Sequence, residues 1–303
     1  MFRNARLFAL PNDFRIDTKS LGEAISSRPS RPCGPLDMET LGWTAPLGTD
    51  AAPLLHTVNG CFLACARLEQ RVLPAGAIRD ALNGRIAAIE QEEARTVWRA
   101  ERRRLRERLI DEMLPKAFTQ SRRVLLSIDS ATGWLVVDAA SATLAEDVVS
   151  LLRDSLESLP VSPPRPSNHS ELVLTSWITD RPPSDITLLD SCELRDSEGE
   201  GEVVRIAGMD LLCEEVIELI RAGKHVTQLA VDWDGRLRFA LSEDLWLKRL
   251  RLVDELPDEL GEDAPEDPAA RLDAEFALFS GQMRRLIDRM SGWFGLGAEE
   301  RTQ

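Results

Sequence analysis

Few residues in this chain have both the type and the spacing that chemistry needs. Its three histidines, His56, His169 and His225, stand far apart, and none has a second His or a Cys at ligand spacing, so no zinc site is expected. The five cysteines, Cys33, Cys61, Cys65, Cys192 and Cys213, are odd in number and scattered. That reads as reduced thiols rather than a disulfide framework. Cys61 and Cys65, four apart in a strand-like run, read as two core thiols on one sheet face. Gly223-Lys224 closes a helix instead of opening one and lacks the other residues of a phosphate loop. Gly199-Glu200-Gly201 has no third glycine in register, and no Gly-x-Ser-x-Gly elbow occurs. Asp232 and Asp234 flank Trp233 at a hairpin, where turn chemistry accounts for them. The expectation is a protein that is not an enzyme and carries no cofactor and no metal.

The informative constellation is cationic. From Arg99 to Arg108 the chain reads RAERRRLRER, six arginines against two glutamates. Over residues 85–123 eleven basic residues face seven acidic ones, a net of +4 inside a chain of −14. At 100° per residue Arg99, Arg102, Arg103 and Arg106 share one helix face, with Trp98, Leu105 and Leu109 as an adjacent apolar stripe. A row of guanidinium groups suits phosphates, because each can bind two oxygens. A solvated face laced by Glu–Arg pairs to Glu101 and Glu107 is the competing reading. Just beyond, Lys116, Phe118, Arg122 and Arg123 continue the basic stretch, and Lys248, Arg249 and Arg251 form a smaller group. Residues 254–303 are the opposite, thirteen acidic against five basic. Separated charge of this kind would admit a polyanion on one surface and repel it from the rest.

These residues need elements to hold them. At 303 residues and 43% hydrophobic the chain is long and apolar enough for a sizeable core, and disorder over most of it is excluded. No window reaches about 18 consecutive apolar residues, so no membrane span is expected. With no secretory pattern in MFRNARLFALPNDFR, the expected compartment is the cytoplasm. The patterning predicts a strand at Arg6–Leu10, a helix at Thr18–Ile25 and a long loop at 28–53. A turn at Val58-Asn59-Gly60-Cys61 then leads into a strand at Phe62–Arg67, with a short one at Arg71–Leu73. The longest helical pattern runs Ala75–Met113 to Pro115, with Asn83-Gly84 as a possible bend; it is expected as a projecting arm or a helical hairpin.

A hairpin at Val124–Ile128 and Trp134–Asp138 follows, then a helix at Leu144–Leu156 and a Pro-rich linker at Leu159–Asn168. The second half predicts strands at Leu172–Ile178, Ile186–Leu189 and Val203–Ala207, and a helix at Leu211–Ile220. A hairpin follows at Val226–Asp232 and Arg236–Ala240, then an alternating apolar and basic stretch at Trp246–Leu252. Residues 254–268 read as an acidic loop, and a last helix spans Arg271–Met290 with apolar Leu272, Phe276, Phe279, Met283, Leu286 and Met290. Strands that come as hairpins with helices between them favour an α+β fold of antiparallel or mixed sheets. The expected division is 1–74 (N-terminal α+β part), 75–123 (basic helical arm), 124–160 (hairpin and helix) and 161–303 (C-terminal α+β part with the terminal helix).

Several longer stretches carry a resemblance: PCGPLDMETLGW (32–43), VNG (58–60), MLPKAF (113–118), SLPVSPP (158–164), LTSWI (174–178), LLDSCELRD (188–196), AGKHVTQLAVDW (222–233) and LKRLRLVDEL (247–256). Together, in this order, they resemble the recombination-associated protein RdgC family of proteobacteria over nearly the whole chain. The resemblance implies a ring-shaped homodimer around double-stranded DNA, bound without sequence preference and associated with the nucleoid. It implies modulation of homologous recombination by limiting access of the recombinase filament. Carried over by position, it points to Lys116 and Phe118 in the PKAF stretch and to Lys248 and Arg249 in LKRL. It also implies lysines after Arg205 and a basic residue at 228, where this chain has Ile206-Ala207-Gly208 and Gln228. The alternative is a protein–protein regulator whose long helix docks a recombination or replication partner.

Overall fold

The computed structural model describes residues 1–11, 13–49, 52–196, 202–253 and 267–296. Period-2 alternation builds the first sheet. Its strands are β1 (Arg6–Ala9), β2 (Glu39–Thr44), β3 (Leu55–Val58), β4 (Cys61–Val72), β5 (Phe118–Asp129) and β6 (Trp134–Val137), all antiparallel, in the order β1-β6-β5-β4-β2 with β3 also on β4. Asn59 and Gly60 both take positive φ between β3 and β4. That is the backbone a two-residue hairpin with right-handed strand twist requires, and glycine and asparagine adopt it at least cost.

Alternation sends Phe8, Phe62, Ala64, Val124, Leu126, Leu135 and Val137 to one face. There α1 (Thr18–Ser26) and α4 (Ala142–Leu156) cover them with Leu21, Ile25, Val148 and Leu152. Both helices start at side-chain caps: Asp17 accepts from the Ser20 N–H and Ser141 from the Leu144 N–H. Leu7, Cys61, Leu63 and Val136 point the other way, into a second core. That core is completed by a five-stranded sheet of β7 (Ile186–Asp196), β8 (Val204–Ala207), β9 (Lys224–Trp233), β10 (Leu237–Ser242) and β11 (Leu247–Leu252), in the order β11-β10-β9-β7-β8. The helices α5 (Ser170–Thr179), α6 (Glu214–Arg221) and α7 (Pro268–Phe294) pack on it.

Two devices tie the sheets together. Just before β1, Ala5 and Leu247 exchange both backbone hydrogen bonds (2.8 and 3.1 Å) and the Leu250 N–H donates to the Arg3 carbonyl, so the first strand joins the edge of one sheet to the edge of the other. The last helix does the rest. Phe276 is fully buried, Phe279 stacks on Phe2 at 4.0 Å, and Arg284 donates to the Asp129 carboxylate and to the Asn59 carbonyl. Burial alone would raise the Asp129 carboxyl, but the hydrogen bonds from Arg284 and Thr132 outweigh it and hold it below its ordinary value.

Several expectations are corrected. Leu172–Ile178 is not a strand but lies in α5: Leu174, Trp177 and Ile178 are buried at helical spacing, and the Thr175 hydroxyl donates to the carbonyl of Glu171. The loop at 28–53 contains β2, where Gly42 lets the backbone of Pro29 and Ser30 lie against the strand; a Cβ at 42 would sit 2.6 Å from the Ser30 Cα. The pieces at Phe62–Arg67 and Arg71–Leu73 belong to one strand, β4. The Pro-rich stretch 159–168 is docked at its end: the Asn168 N–H and side chain donate to the carbonyls of Phe294 and Trp293, the C-terminal turn of α7. The expected division at residue 123 falls inside β5. The acidic stretch 254–268, apart from Asp267 and Pro268, and Gly199-Glu200-Gly201 lie outside the described residues. Cys61 and Cys65 are both buried, four apart along β4 and so on one face.

Candidate nucleic-acid interface

The helical pattern of 75–113 folds as two helices, α2 (Ala75–Glu93) and α3 (Arg99–Met113). The break is not at Asn83-Gly84, which stays helical, but at Ala94, in the left-handed conformation at φ 49°. The two helices share a small apolar cluster of their own, Ile78, Leu82 and Leu109 with Leu73, Ile86, Leu105, Ile110 and Met113 around it. Their turn is braced from both sides. The Arg95 guanidinium makes two 2.7 Å hydrogen bonds to the Glu101 carboxylate and one of 2.6 Å to Glu93, and Glu90 accepts from the Val97 N–H. The bond from Arg95 holds the Glu101 carboxyl below its ordinary value.

Every arginine of the row, Arg99, Arg102, Arg103 and Arg106, is exposed. Arg102 donates to the Asn83 side chain at 3.3 Å and Arg103 pairs with Glu107 four residues on. Glu101 is used by Arg95 and not by the row. Among the described residues Arg99, Arg106 and two arginines outside the row, Arg104 and Arg108, have no ion-pair or hydrogen-bond partner. The helical wheel places those last two off the face of the row. Only the pattern of glutamates around each guanidinium distinguishes a free arginine from a paired one.

The hairpin grows from a ribbon formed by the outer halves of β4 and β5, with Arg67 opposite Arg123, Leu68 opposite Arg122 and Val72 opposite Phe118. Beyond Ala66 and before Val124 most ribbon side chains leave the core. Strand alternation sets two roles. Phe118 and Arg122 share one face, where Phe118 is 87% exposed and Val72 is 42% exposed; Phe118 does not pack under the helix. Lys116 is exposed in the single 3₁₀ turn, Leu114–Lys116, that joins α3 to β5. Arg123 is on the opposite face and donates to the carbonyls of Ala45 and Pro46 at 2.9 and 2.5 Å, holding the loop after β2. On that face, too, Glu69 is 5% exposed yet charged, because the Cys33 N–H, Ser121 and Arg67 all donate to it and keep its carboxyl below the ordinary value. Arg71 donates to the carbonyls of Cys33, Gly34 and Ala117 and so binds the PCG loop to the 3₁₀ turn. Sequence reasoning missed both residues, whose roles depend on long-range backbone partners.

Lys248 and Arg249 lie apart from this hairpin, on β11. The Lys248 ammonium sits 4.9 Å from the Trp246 ring centroid and donates to Gln228, while Arg6 stacks on the same ring. Arg249 takes φ 54° at a bulge where the β10–β11 register shifts, and its head is exposed. Among the described residues no group of three His, Cys, Asp or Glu could hold a metal ion, and no helix is long and apolar enough to cross a membrane.

Architecture and site together define a class: a mixed α+β protein of antiparallel sheets, closed by a long C-terminal helix and carrying an arginine-lined helical hairpin. The comparison with known proteins then places the chain. The sequence model of a family described as "Putative exonuclease, RdgC" matches residues 1–297. The chain is 36% identical over 299 residues to the "Recombination-associated protein RdgC" of Enterobacter sp. (strain 638), covering 98% of both chains. It is 37% identical over 299 residues, again 98% of both, to the proteins of that name from Salmonella typhimurium and Salmonella typhi. The chain belongs to the RdgC family, a recombination-associated family.

Proposed function

We propose that the protein binds double-stranded DNA through its phosphates, without reading sequence, and modulates homologous recombination by occupying the duplex against the recombinase filament. The observation that carries this is the set of exposed guanidinium groups along α3, of which Arg99 and Arg106 make no ion pair among the described residues, in a chain of net charge −14. A row of unneutralised guanidinium groups is suited to an external polyanion. Arg102, Arg103, Lys116 and Arg122 extend the same surface, and Arg249 is a second, separate contact. Lys248 and Arg123 contribute less, since the fold already uses their heads. On this reading the hairpin is the basic arm of the molecule.

The acidic remainder restricts how DNA approaches, which favours an enclosed basic surface: a closed homodimer around the duplex, associated with the nucleoid in the cytoplasm. The exposed Val72–Phe118 pair at the ribbon offers apolar surface for the second copy. Loading tests this directly. Linear duplex with both ends blocked should be bound more slowly than free-ended duplex of the same length, and equal rates would contradict encirclement. The family description names an exonuclease, and among the described residues no group of three His, Cys, Asp or Glu could hold a metal ion.

A further inference from the structure

Of the seven tryptophans, Trp43, Trp177, Trp233 and Trp246 are buried and Trp134 and Trp293 half-buried, whereas Trp98 is 75% exposed. Helical spacing in the sequence places it in an apolar stripe with Leu105 and Leu109. The structure puts those two in the hairpin core and leaves Trp98 out, because it precedes α3 at the turn, where α2 has already ended. Among the described residues its ring has no aromatic or cationic partner and its indole N–H no acceptor. The fold therefore gains little from the largest of side chains at this position. It nonetheless holds the backbone there firmly. The Trp98 carbonyl accepts from the Arg102 N–H at 2.9 Å, Glu90 caps the Val97 N–H at 3.0 Å, and Arg95 bridges Glu93 and Glu101 across the turn. Arg99 follows directly, with Arg102 and Arg106 further along the same side of α3.

A bare indole on a braced turn, flanked by guanidinium groups, matches one ligand chemistry well. We propose that Trp98 is a stacking platform for an unpaired nucleobase, so that the tip of the hairpin holds single-stranded or frayed DNA while the adjacent arginines hold its phosphates. Inside a duplex both faces of each base are covered by neighbours; an unpaired base offers a free face, and stacking on an aromatic ring is sequence-tolerant. The inference rests on the nucleic-acid reading of α3 and deepens it, adding unpaired bases to the phosphates as a recognised feature.

Three probes separate the possibilities: a 20-residue oligothymidylate, an abasic oligomer of the same length, and a blunt duplex. Trp98→Ala should bind the oligothymidylate about 5- to 150-fold more weakly than the native protein, the range expected for one lost base stack. Trp98→Phe should fall between them. Binding of the abasic oligomer and of the blunt duplex should not change, and oligothymidylate should quench native tryptophan fluorescence more than that of Trp98→Ala. Unchanged affinity for oligothymidylate, or an equal loss on the abasic oligomer, would overturn the stacking role. So would a Trp98 response to anionic phospholipid vesicles with none to oligothymidylate. If the native protein bound neither strand form, the nucleic-acid reading of α3 would itself fail; duplex binding with a Trp98-independent single-strand affinity would overturn only the stacking proposal.

Discussion

Arg99–Arg108 on α3 and Arg284 and Arg289 on α7 are both arginine-bearing helix faces, but the molecule uses them differently. On α7, Arg284 reaches the buried Asp129 carboxylate and Arg289 makes a paired contact to Asp185 at 2.7 and 3.0 Å; each ties the last helix to a distant strand end or loop. On α3 the contacts are local, Arg103 to Glu107 and Arg102 to Asn83, or absent. The difference lies in what surrounds each helix. The apolar face of α7 is buried in the larger core, so Arg284 beside it is drawn into a partly dry position against the buried Asp129, where unpaired charge is costly, while Arg289 stays exposed and reaches the largely buried Asp185. The core of α3 is small and its cations remain in water, where leaving them unpaired costs little and an exposed ion pair contributes about 0–1 kcal/mol.

This contrast can be broken most forcefully at α7. Phe276→Asp replaces a fully buried ring by a carboxylate with no partner provided for it. The lost packing alone is about 3–5 kcal/mol and the buried charge adds to it, against a total stability of about 5–15 kcal/mol. The variant should show no cooperative thermal transition; a native-like one would mean that α7 is not seated in the core.

Arg284→Met is the next largest effect. It leaves the buried Asp129 carboxylate without its ion-pair partner, at a cost of about 3 kcal/mol, the low end for a buried pair because the guanidinium keeps partial water contact. The folded state lowers the Asp129 pKa, so the stabilisation is present above the unfolded carboxyl value of about 4 and is lost as pH falls through the folded value. The gap between native protein and variant, followed by denaturant titration, should be constant at neutral pH and narrow in the acid range. A gap independent of pH would remove the ion pair as its cause.

The smallest effect sharpens the comparison at β11. Lys248→Met keeps the aliphatic contact with Trp246 and removes the cation over the ring together with its hydrogen bond to Gln228, so stability should fall by about 1 kcal/mol and DNA affinity should hold. A shallower salt dependence of binding would return Lys248 to the interface.

Much of the architecture is legible in sequence because it rests on local rules. Asn59-Gly60 and Asp234-Gly235 announce their turns through positive φ, Asp17 caps α1, and the terminal helix follows from Phe276, Phe279, Met283 and Leu286. What escapes is set by distant partners. β2 is hidden by Gly42 and its Pro-rich approach, and α5 reads as a strand because Leu172–Ile178 is nearly continuous in apolar and β-branched residues. The left-handed Ala94 breaks the long helix without a glycine to mark it. The same limit applies to the site. The arginine density of α3 is visible at once, but whether Arg123 faces a ligand or the carbonyls of Ala45 and Pro46 depends on the pairing of β4 with β5.

The central claim is that the arginines of α3 face phosphates, and the salt dependence of duplex binding tests it most directly. Each phosphate neutralised contributes about −0.9 to the slope of log affinity against log salt. Replacing Arg99, Arg102, Arg103 and Arg106 by Gln removes four charges per subunit, eight in a dimer. If half of them touch duplex at once, the slope should become shallower by roughly 3–4, equally for unrelated DNA sequences, because phosphates carry no sequence information. Gln is a good helix former and these positions are exposed, so the melting temperature should hardly move. A quadruple variant that keeps the native slope and the native affinity would contradict the account and leave the row a solvated helix face.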